Sequence, residues 1–269
     1  MPKNRLIDCI TFFDNNFMFE LRFNILKNFI DFFVVCESKY DHRNFKKKLN
    51  FDKSFLKSGK VKYLVLENPF PKETNLWENQ AIQREFLLNG VKNICHDDDY
   101  IFFSDPDEIP NPNYLYNFKL NKRYAIFLQK CFNYKFNLFN PYESPWEGTR
   151  VSKKKNLRSI DFLRQKVRAK NLKYKFYRFD KEKNIEIFNN AGWHFNNIMS
   201  PKQISLKLKT FAHSEFSGNR FSDINVIKNK IDSKTDLFER GHVYKKVEIN
   251  NSFPKYLIEN SDKYRDFIL

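Results

Sequence analysis

"YIFFSDPDEIP", Tyr100 to Pro110, decides how this chain of 269 residues is read. An apolar run enters three carboxylates, Asp105, Asp107 and Glu108, with Pro106 among them and Pro110 behind. A short apolar run with polar bounds reads as a buried strand, and open α/β sheets bind ligands outside the carboxyl ends of such strands. Asp105 and Asp107 are two apart, and a turn after the strand lets both side chains approach one ion. Oxygen donors of this kind suit Mg²⁺ or Mn²⁺, which bridge a few carboxylates to substrate phosphates. The same residues also suit a capped turn, so the stretch by itself leaves both readings open.

Upstream, the pattern of an apolar strand ending in a carboxylate recurs. "LIDCITFF" (Leu6 to Phe13), "FFVVCES" (Phe32 to Ser38) and "VKYLVLENP" (Val61 to Pro69) read as strands. Between them, Phe19, Phe23, Leu26 and Ile30 repeat at helical spacing behind Asn candidates for a cap. A second helix is expected over "NLWENQAIQREFLLNGV", with Asn75 as cap, Glu78 closing a capping box and Gly90 near the stop. This order predicts an α/β fold with a mostly parallel central sheet flanked by helices. If the strands are parallel, Glu37, Glu67 and the Asp105 group share one rim.

Beyond Pro112 the pattern loosens. Tyr124 to Phe139 reads as two strands with Asn133 near the turn, "PYESPWEGTRVSKK" as a loop or short extended excursion, and the basic stretch to Phe188 as moderate strand. "PKQISLKLKTFAH" and "DINVIKNKIDS" read as helices, and the last residues as a segment packed on the outside. The expected division is a catalytic domain over 1–220 and a C-terminal helical extension over 221–269 on the same domain.

Hydrophobic residues make up 41% of the chain, with 31 Phe and 13 Tyr, so it carries enough apolar surface to fold. The net charge of +16 admits nucleic-acid binding, an anionic small substrate or a solvated basic surface. Its densest blocks are His42 to Lys62 and Arg150 to Lys175. Cys9, Cys36, Cys95 and Cys131 are far apart and read as buried free thiols. "MPKNRLIDC" has no secretory apolar region, and no stretch nears 18 apolar residues; the expectation is a cytoplasmic protein without signal peptide or transmembrane segment, with peripheral membrane contact still open.

There is no glycine-rich phosphate loop and no dinucleotide fingerprint, so a diphosphate must be held by metal and side chains such as Arg84, beside Gln80 and Gln83. "NNAGWHFNNIMS" places His194 among aromatics, as a structural histidine or a third metal ligand. "FAHSE" sets His213 and Glu215 two apart, and Trp77, Trp146 and Trp193 are candidates for stacking on a sugar or for the core.

The stretches "IDCITFF", "FELRFNIL", "DFFVVCES", "NLWENQAIQRE", "DDDYIFFSDPDEIPNP", "WEGTR", "AGWHF" and "FAHSEF" together, in order and spacing, resemble glycosyltransferase family 17. Its best-known members are β-1,4-mannosyl-glycoprotein 4-β-N-acetylglucosaminyltransferases. The resemblance implies an A-type glycosyltransferase fold in which Asp105 and Asp107 form the metal-binding aspartate motif. It implies Mn²⁺ or Mg²⁺, a nucleotide-sugar donor of the UDP type, and an inverting transfer, possible with N-acetylglucosamine, to a glycan acceptor. Glu20, Arg22, Glu37, Gln83, Arg84 and Glu108 are matched as pocket or supporting residues, Asp105 as metal or ribose contact, Asp107 as metal ligand, and His194 and His213 as closing the metal and diphosphate site. For the catalytic base, Glu215 and Glu147 stand first and Glu108 behind them. Asp14-Asn15-Asn16-Phe17 departs from the family pattern, which points to an acceptor other than a eukaryotic glycoprotein and to a microbial or virus-encoded enzyme. No stable nucleic-acid partner is expected on this reading. The competing readings are a nucleic-acid-binding protein and a noncatalytic glycan-binding protein of the same fold.

Overall fold

The computed structural model describes residues 4–210 and 218–269. Strands β1 (Leu6–Phe12), β2 (Phe32–Ser38), β3 (Val61–Leu66) and β4 (Tyr100–Ser104) form the parallel block expected from the sequence, in the order β3-β2-β1-β4. Its core strands are apolar on both faces because helices cover both: α1 (Asn16–Leu26) lies between β1 and β2, and α2 (Leu76–Phe86) with α3 (Leu88–Val91) between β3 and β4. Asn15 caps α1 by accepting from the Met18 amide. Asn75 and Glu78 form the expected reciprocal capping box on α2.

Past β4 the sheet becomes mixed. β5 (Glu108–Pro110) follows the acidic turn, and β6 (Tyr124–Asn133) is the long strand that joins the two halves of the sheet. β7 (Leu138–Phe139) returns against β6 after Tyr134, whose φ of 64° makes the turn. β8 (Trp146–Lys153) runs antiparallel between β4 and β6. This segment reads as a loop in the sequence because its buried positions are polar. Thr149 and Ser152 are fully buried, and Thr149 is bonded to Ser104 at 2.7 Å and to Gln129 at 3.1 Å. Gly148 is required there, since a Cβ would lie 2.0 Å from the Gln129 side chain.

The basic stretch after β8 is also not strand at first. Ser159 caps the short helix α4 (Ile160–Gln165), whose first amides donate to Glu85, and extended structure returns only at β9 (Ile185–Phe188). β10 (Gly192–Asn196) then pairs with both β5 and β6. Helices α5 (Pro201–Thr210), α6 (Asn219–Ser222) and α7 (Ile224–Asp232) pack together over Tyr134 and Leu138. β11 (Lys245–Lys246) extends the sheet beyond β7.

The C-terminal residues do more than cover the outside. On and after α8 (Lys255–Glu259), Leu257 and Tyr264 are fully buried in the main core, where Tyr264 and Phe267 contact Phe17 with ring centroids 5.2 and 4.9 Å apart. Their signal is weak because the apolar groups are short and interrupted by Lys, Asp and Asn. All four cysteines are buried and unbridged.

Beneath the parallel block, Arg22 on α1 and Asp8 on β1 form a two-pronged ion pair (2.5 and 2.7 Å) with both side chains fully buried. The remaining guanidinium nitrogen donates to the Glu108 carbonyl at 2.7 Å, so one side chain ties strand, helix and acidic turn together. Removing one partner strands a buried charge, so Arg22→Met is expected to cost about 3–5 kcal/mol by urea unfolding. Asp8→Ala combined with Arg22→Met should cost clearly less than the sum of the two single changes, read as a double-mutant cycle.

Candidate active site

The acidic stretch is both a turn and a rim. Pro106 occupies the second turn position, the Asp105 carbonyl accepts from the Glu108 amide at 3.0 Å, and Glu108 Oε2 accepts from the Asp105 amide at 3.0 Å. Across the turn, the Asp107 carbonyl accepts from the Phe195 amide at 2.8 Å. Gly192 makes the β5–β10 pairing possible, because its φ is 150° and a Cβ would lie 2.2 Å from the Ile109 carbonyl oxygen. That pairing sets His194 opposite Glu108 and beside Asp107.

These residues open onto a cavity of about 850 Å³ at the carboxyl ends of β1, β2 and β4. Asp105 and Asp107 stand on one wall, with Trp77 and Gln83 of α2 on another. Lys47, Arg84, Arg164, Arg168, Lys207 and Arg240 bring positive charge to it. The two basic blocks of the sequence therefore converge here: the first supplies His42 and Lys47, the second Arg150, Arg164 and Arg168.

The two aspartates have different surroundings. Asp105 is clamped by Arg164 at 2.5 Å and approached by Arg84 at 3.7 Å. Burial works against its charge, but the Arg164 and Arg84 guanidinium groups outweigh this and lower its pKa. Among the described residues, the ionic contacts of Asp107 are long, to His194 Nε2 at 3.6 Å and Lys207 Nζ at 3.8 Å. Burial again opposes charge, and His194 and Lys207 hold the carboxyl well below the usual range. For His194 burial favours the neutral ring, yet Cys131 and Asp107 outweigh it and raise the pKa well above the ordinary value. Burial raises the Cys131 pKa, and the neighbouring His194 works against that rise.

Among the described residues no three His, Cys, Asp or Glu side chains converge as a metal-ligand set. The donor set fits a divalent ion of the Mg²⁺ or Mn²⁺ kind through Asp107, since such ions take one or two carboxylates and leave the remaining positions to phosphates and water. His194 lies beside Asp107 at 3.6 Å, whereas both oxygens of Asp105 face arginines. Arg84 Nε is buried without a hydrogen-bond partner.

The other sequence candidates are dispersed. Glu108 is fully buried, accepts from Trp146 Nε1 at 2.6 Å and pairs with Arg164 at 2.9 Å. Glu147 lines the cavity, and both Arg150 and Arg168 take its Oε2 rather than Oε1. Glu37 ends β2 on the expected rim, but its carboxylate is buried under its own chain, accepting from Lys47 at 2.6 Å, Tyr63 at 2.7 Å and the Asn50 and Phe51 amides. It fixes the loop that carries Lys47 into the cavity. Glu67 pairs with Lys39 at the surface, and Glu20 with Lys263. Arg22 belongs to the core pair. Gln83 lines the cavity and its Oε1 accepts from His42 Nε2 at 2.9 Å, while burial lowers the His42 pKa. His213 and Glu215 lie outside the described residues.

Trp146 stacks on His194 with centroids 4.6 Å apart, Trp77 is half-exposed at the cavity, and Trp193 is core. Sequence reasoning missed Glu143, which lines the cavity and pairs with Arg240 at 2.7 Å. It also missed Arg164, the residue that bridges Asp105 and Glu108. The only signal for Arg164 was its place in the second basic block.

The chain matches the family described as Glycosyltransferase family 17 over residues 1–269, and it belongs to that family. It is a glycosyltransferase, and its mixed α/β fold with a central sheet flanked by helices is the one expected. No curated protein matches it by sequence. Among solved structures it is similar to S. aureus TarS 1–349, at 12% identity and a TM-score of 0.38, covering 88% of this chain and 77% of that one. It is also similar to M. tuberculosis glucosyl-3-phosphoglycerate synthase, at 9% identity and a TM-score of 0.40, covering 95% and 92%. A structure of the M. tuberculosis synthase with Mn²⁺, uridine diphosphate and glucosyl-3-phosphoglycerate gives 10% identity, a TM-score of 0.39 and the same coverage. Similarities this distant carry no argument about donor or acceptor.

Arg164→Met leaves Glu108 buried beside one indole N–H and one amide, and is expected to cost about 3 kcal/mol in denaturant unfolding. Arg164→Lys should recover only part of this, because a single ammonium does not reproduce the fork that spans both carboxylates.

Proposed function

We propose that the enzyme moves a sugar from a nucleoside-diphosphate donor, with uridine as the nucleoside, to a glycan hydroxyl in a reaction that needs Mn²⁺ or Mg²⁺. The observation that carries this is Asp107, held in a turn at the end of β4 with long ionic contacts among the described residues, in a cavity lined by cations. N-acetylglucosamine is the sugar suggested by the family. The A-type fold belongs to the same reading.

In this mechanism Asp107 is the protein's metal ligand, with His194 beside it, and a bound divalent cation would supply neutralisation of charge on the departing diphosphate. Asp105, kept anionic by Arg164 and Arg84, would contact the ribose or help to hold the cation. Arg84, with its unpaired Nε, and Lys207 donate to phosphate oxygens. Lys47, presented by the Glu37-bound loop, adds charge on the opposite side. Trp77 offers a ring face to a sugar or base.

Inversion requires an acceptor hydroxyl to attack C1 from the side opposite the diphosphate while a carboxylate removes its proton. Glu147 is assigned this work through Oε1, with Arg150 and Arg168 orienting the group through Oε2. Glu108 organises the turn and the Trp146 indole and does not act as base. Glu215 and His213 stay as proposals from family resemblance alone.

Calorimetric titration with uridine diphosphate should show binding that is stronger with Mn²⁺ than without. Asp107→Asn should remove at least about tenfold of that gain, or about 1.4 kcal/mol, and leave the metal-free affinity unchanged. Equal affinity with and without metal would remove Asp107 from this role. For the base, Glu147→Gln should lower turnover by about 10²–10⁴ while donor affinity stays within about twofold. A Glu143→Gln variant with that signature, and a normal Glu147→Gln, would move the assignment to Glu143.

A further inference from the structure

The second basic block continues past the cavity into a segment the transfer reaction does not use. Arg164, Gln165 and Arg168 line the cavity, and from Ala169 the chain leaves the wall through a short 3₁₀ turn ending at Lys173. Over the next six residues it presents Tyr174, Phe176, Tyr177 and Phe179 to solvent, with Leu172 just before them. Phe176 is 85% exposed and Phe179 is 89% exposed, in a protein whose other phenylalanines mostly fill its cores. Among the described residues, five of the fourteen exposed large apolar side chains therefore fall between 172 and 179, a concentration that marks an interaction surface rather than scattered exposure.

The net charge around these rings is positive. Six Lys and Arg side chains lie between Lys170 and Lys183, against Asp180 and Glu182 only. The segment is also held in shape by its own contacts. Arg178 grips Asp180 through two bonds of 2.7 and 2.8 Å, and Lys181 joins the same carboxylate at 2.9 Å. Arg178 and Lys181 both lie over the Tyr174 ring, at 5.4 and 5.7 Å, and Lys183 Nζ donates to the Lys175 carbonyl. The tyrosine is thus used to anchor cations, and the two phenylalanines are left pointing out of a cationic collar.

We propose that residues 170–183 dock the enzyme on an anionic membrane surface, with Phe176 and Phe179 entering the headgroup region and the surrounding Lys and Arg meeting lipid phosphates. Apolar rings within a basic surround match both layers of such an interface, the acyl boundary and its negative charge. A single-stranded nucleic acid fits less well. Phe176 and Tyr177 meet edge-on at 76°, so they offer no parallel platform for successive bases. Because the segment springs directly from the cavity wall, docking would hold the cavity near the membrane, where the acceptor is a glycan carried on a lipid; this last step rests on the transferase reading above.

The test is flotation of the full chain with phosphatidylcholine vesicles, with and without about one-third phosphatidylglycerol. Expected is at least about tenfold stronger partitioning onto the anionic vesicles, weakened by salt, and a loss of about tenfold or more in the double variant Phe176→Ser, Phe179→Ser. A Phe179→Trp variant should show a blue-shifted emission on anionic vesicles and quenching by brominated acyl chains. Equal partitioning of wild type and double variant, or a tryptophan that stays in water, would overturn the proposal. So would binding to a single-stranded oligonucleotide in preference to vesicles, lost in the same double variant. Asp107→Asn separates the two ideas: docking predicts that it floats like wild type, whatever becomes of nucleotide binding.

Discussion

The buried pair of Asp8 and Arg22 is the constraint on which the rest is built. Two charges taken wholly out of water are tolerable only if each satisfies the other and the leftover donors find acceptors. Arg22 meets this by bonding Asp8 through two nitrogens and the Glu108 carbonyl through a third. The bond to Glu108 matters most for function. It fixes the chain where β4 has ended and β5 begins, so the carboxylates of the intervening turn are held against the sheet rather than left on a mobile loop.

From there the site is a problem of sorting charge. Three carboxylates within four positions repel one another, and the fold gives each a different partner. Glu108 is turned inward to Trp146 and Arg164, Asp105 is clamped by arginines, and among the described residues Asp107 meets its cations at longer range. The same acidic stretch thus contains an organiser, a carboxylate neutralised by arginines and one with weaker ionic partners. The cations that do the sorting come from α2, α4 and the basic blocks, which explains part of the large positive charge without recourse to nucleic acid.

The parallel half of the fold was legible because its strands are apolar on both faces and its helices start with Asn caps. Both features depend on neighbours only a few residues away. β8 was not legible, since Thr149 is buried on the strength of Ser104 and Gln129, which are distant in sequence. The final residues were hidden for a related reason: their short apolar groups are interrupted by charge, and Tyr264 and Phe267 find their partner in the distant Phe17. Among candidate residues, Asp107, His194, Gln83, Arg84 and Glu147 do come to one cavity, whereas Glu37 reaches the rim but spends its carboxylate on the Lys47 loop.

The amino-acid order by itself determined the family, the parallel strands with their caps, and the acidic turn after β4, because each is written in local patterning and ordered motifs. Tertiary structure alone decided which carboxylate is clamped by arginines, which arginine does so and which aromatic rings remain outside. Those outcomes follow from burial and from pairings such as Arg164 with Asp105, between residues 59 apart in the chain, and no local pattern encodes them.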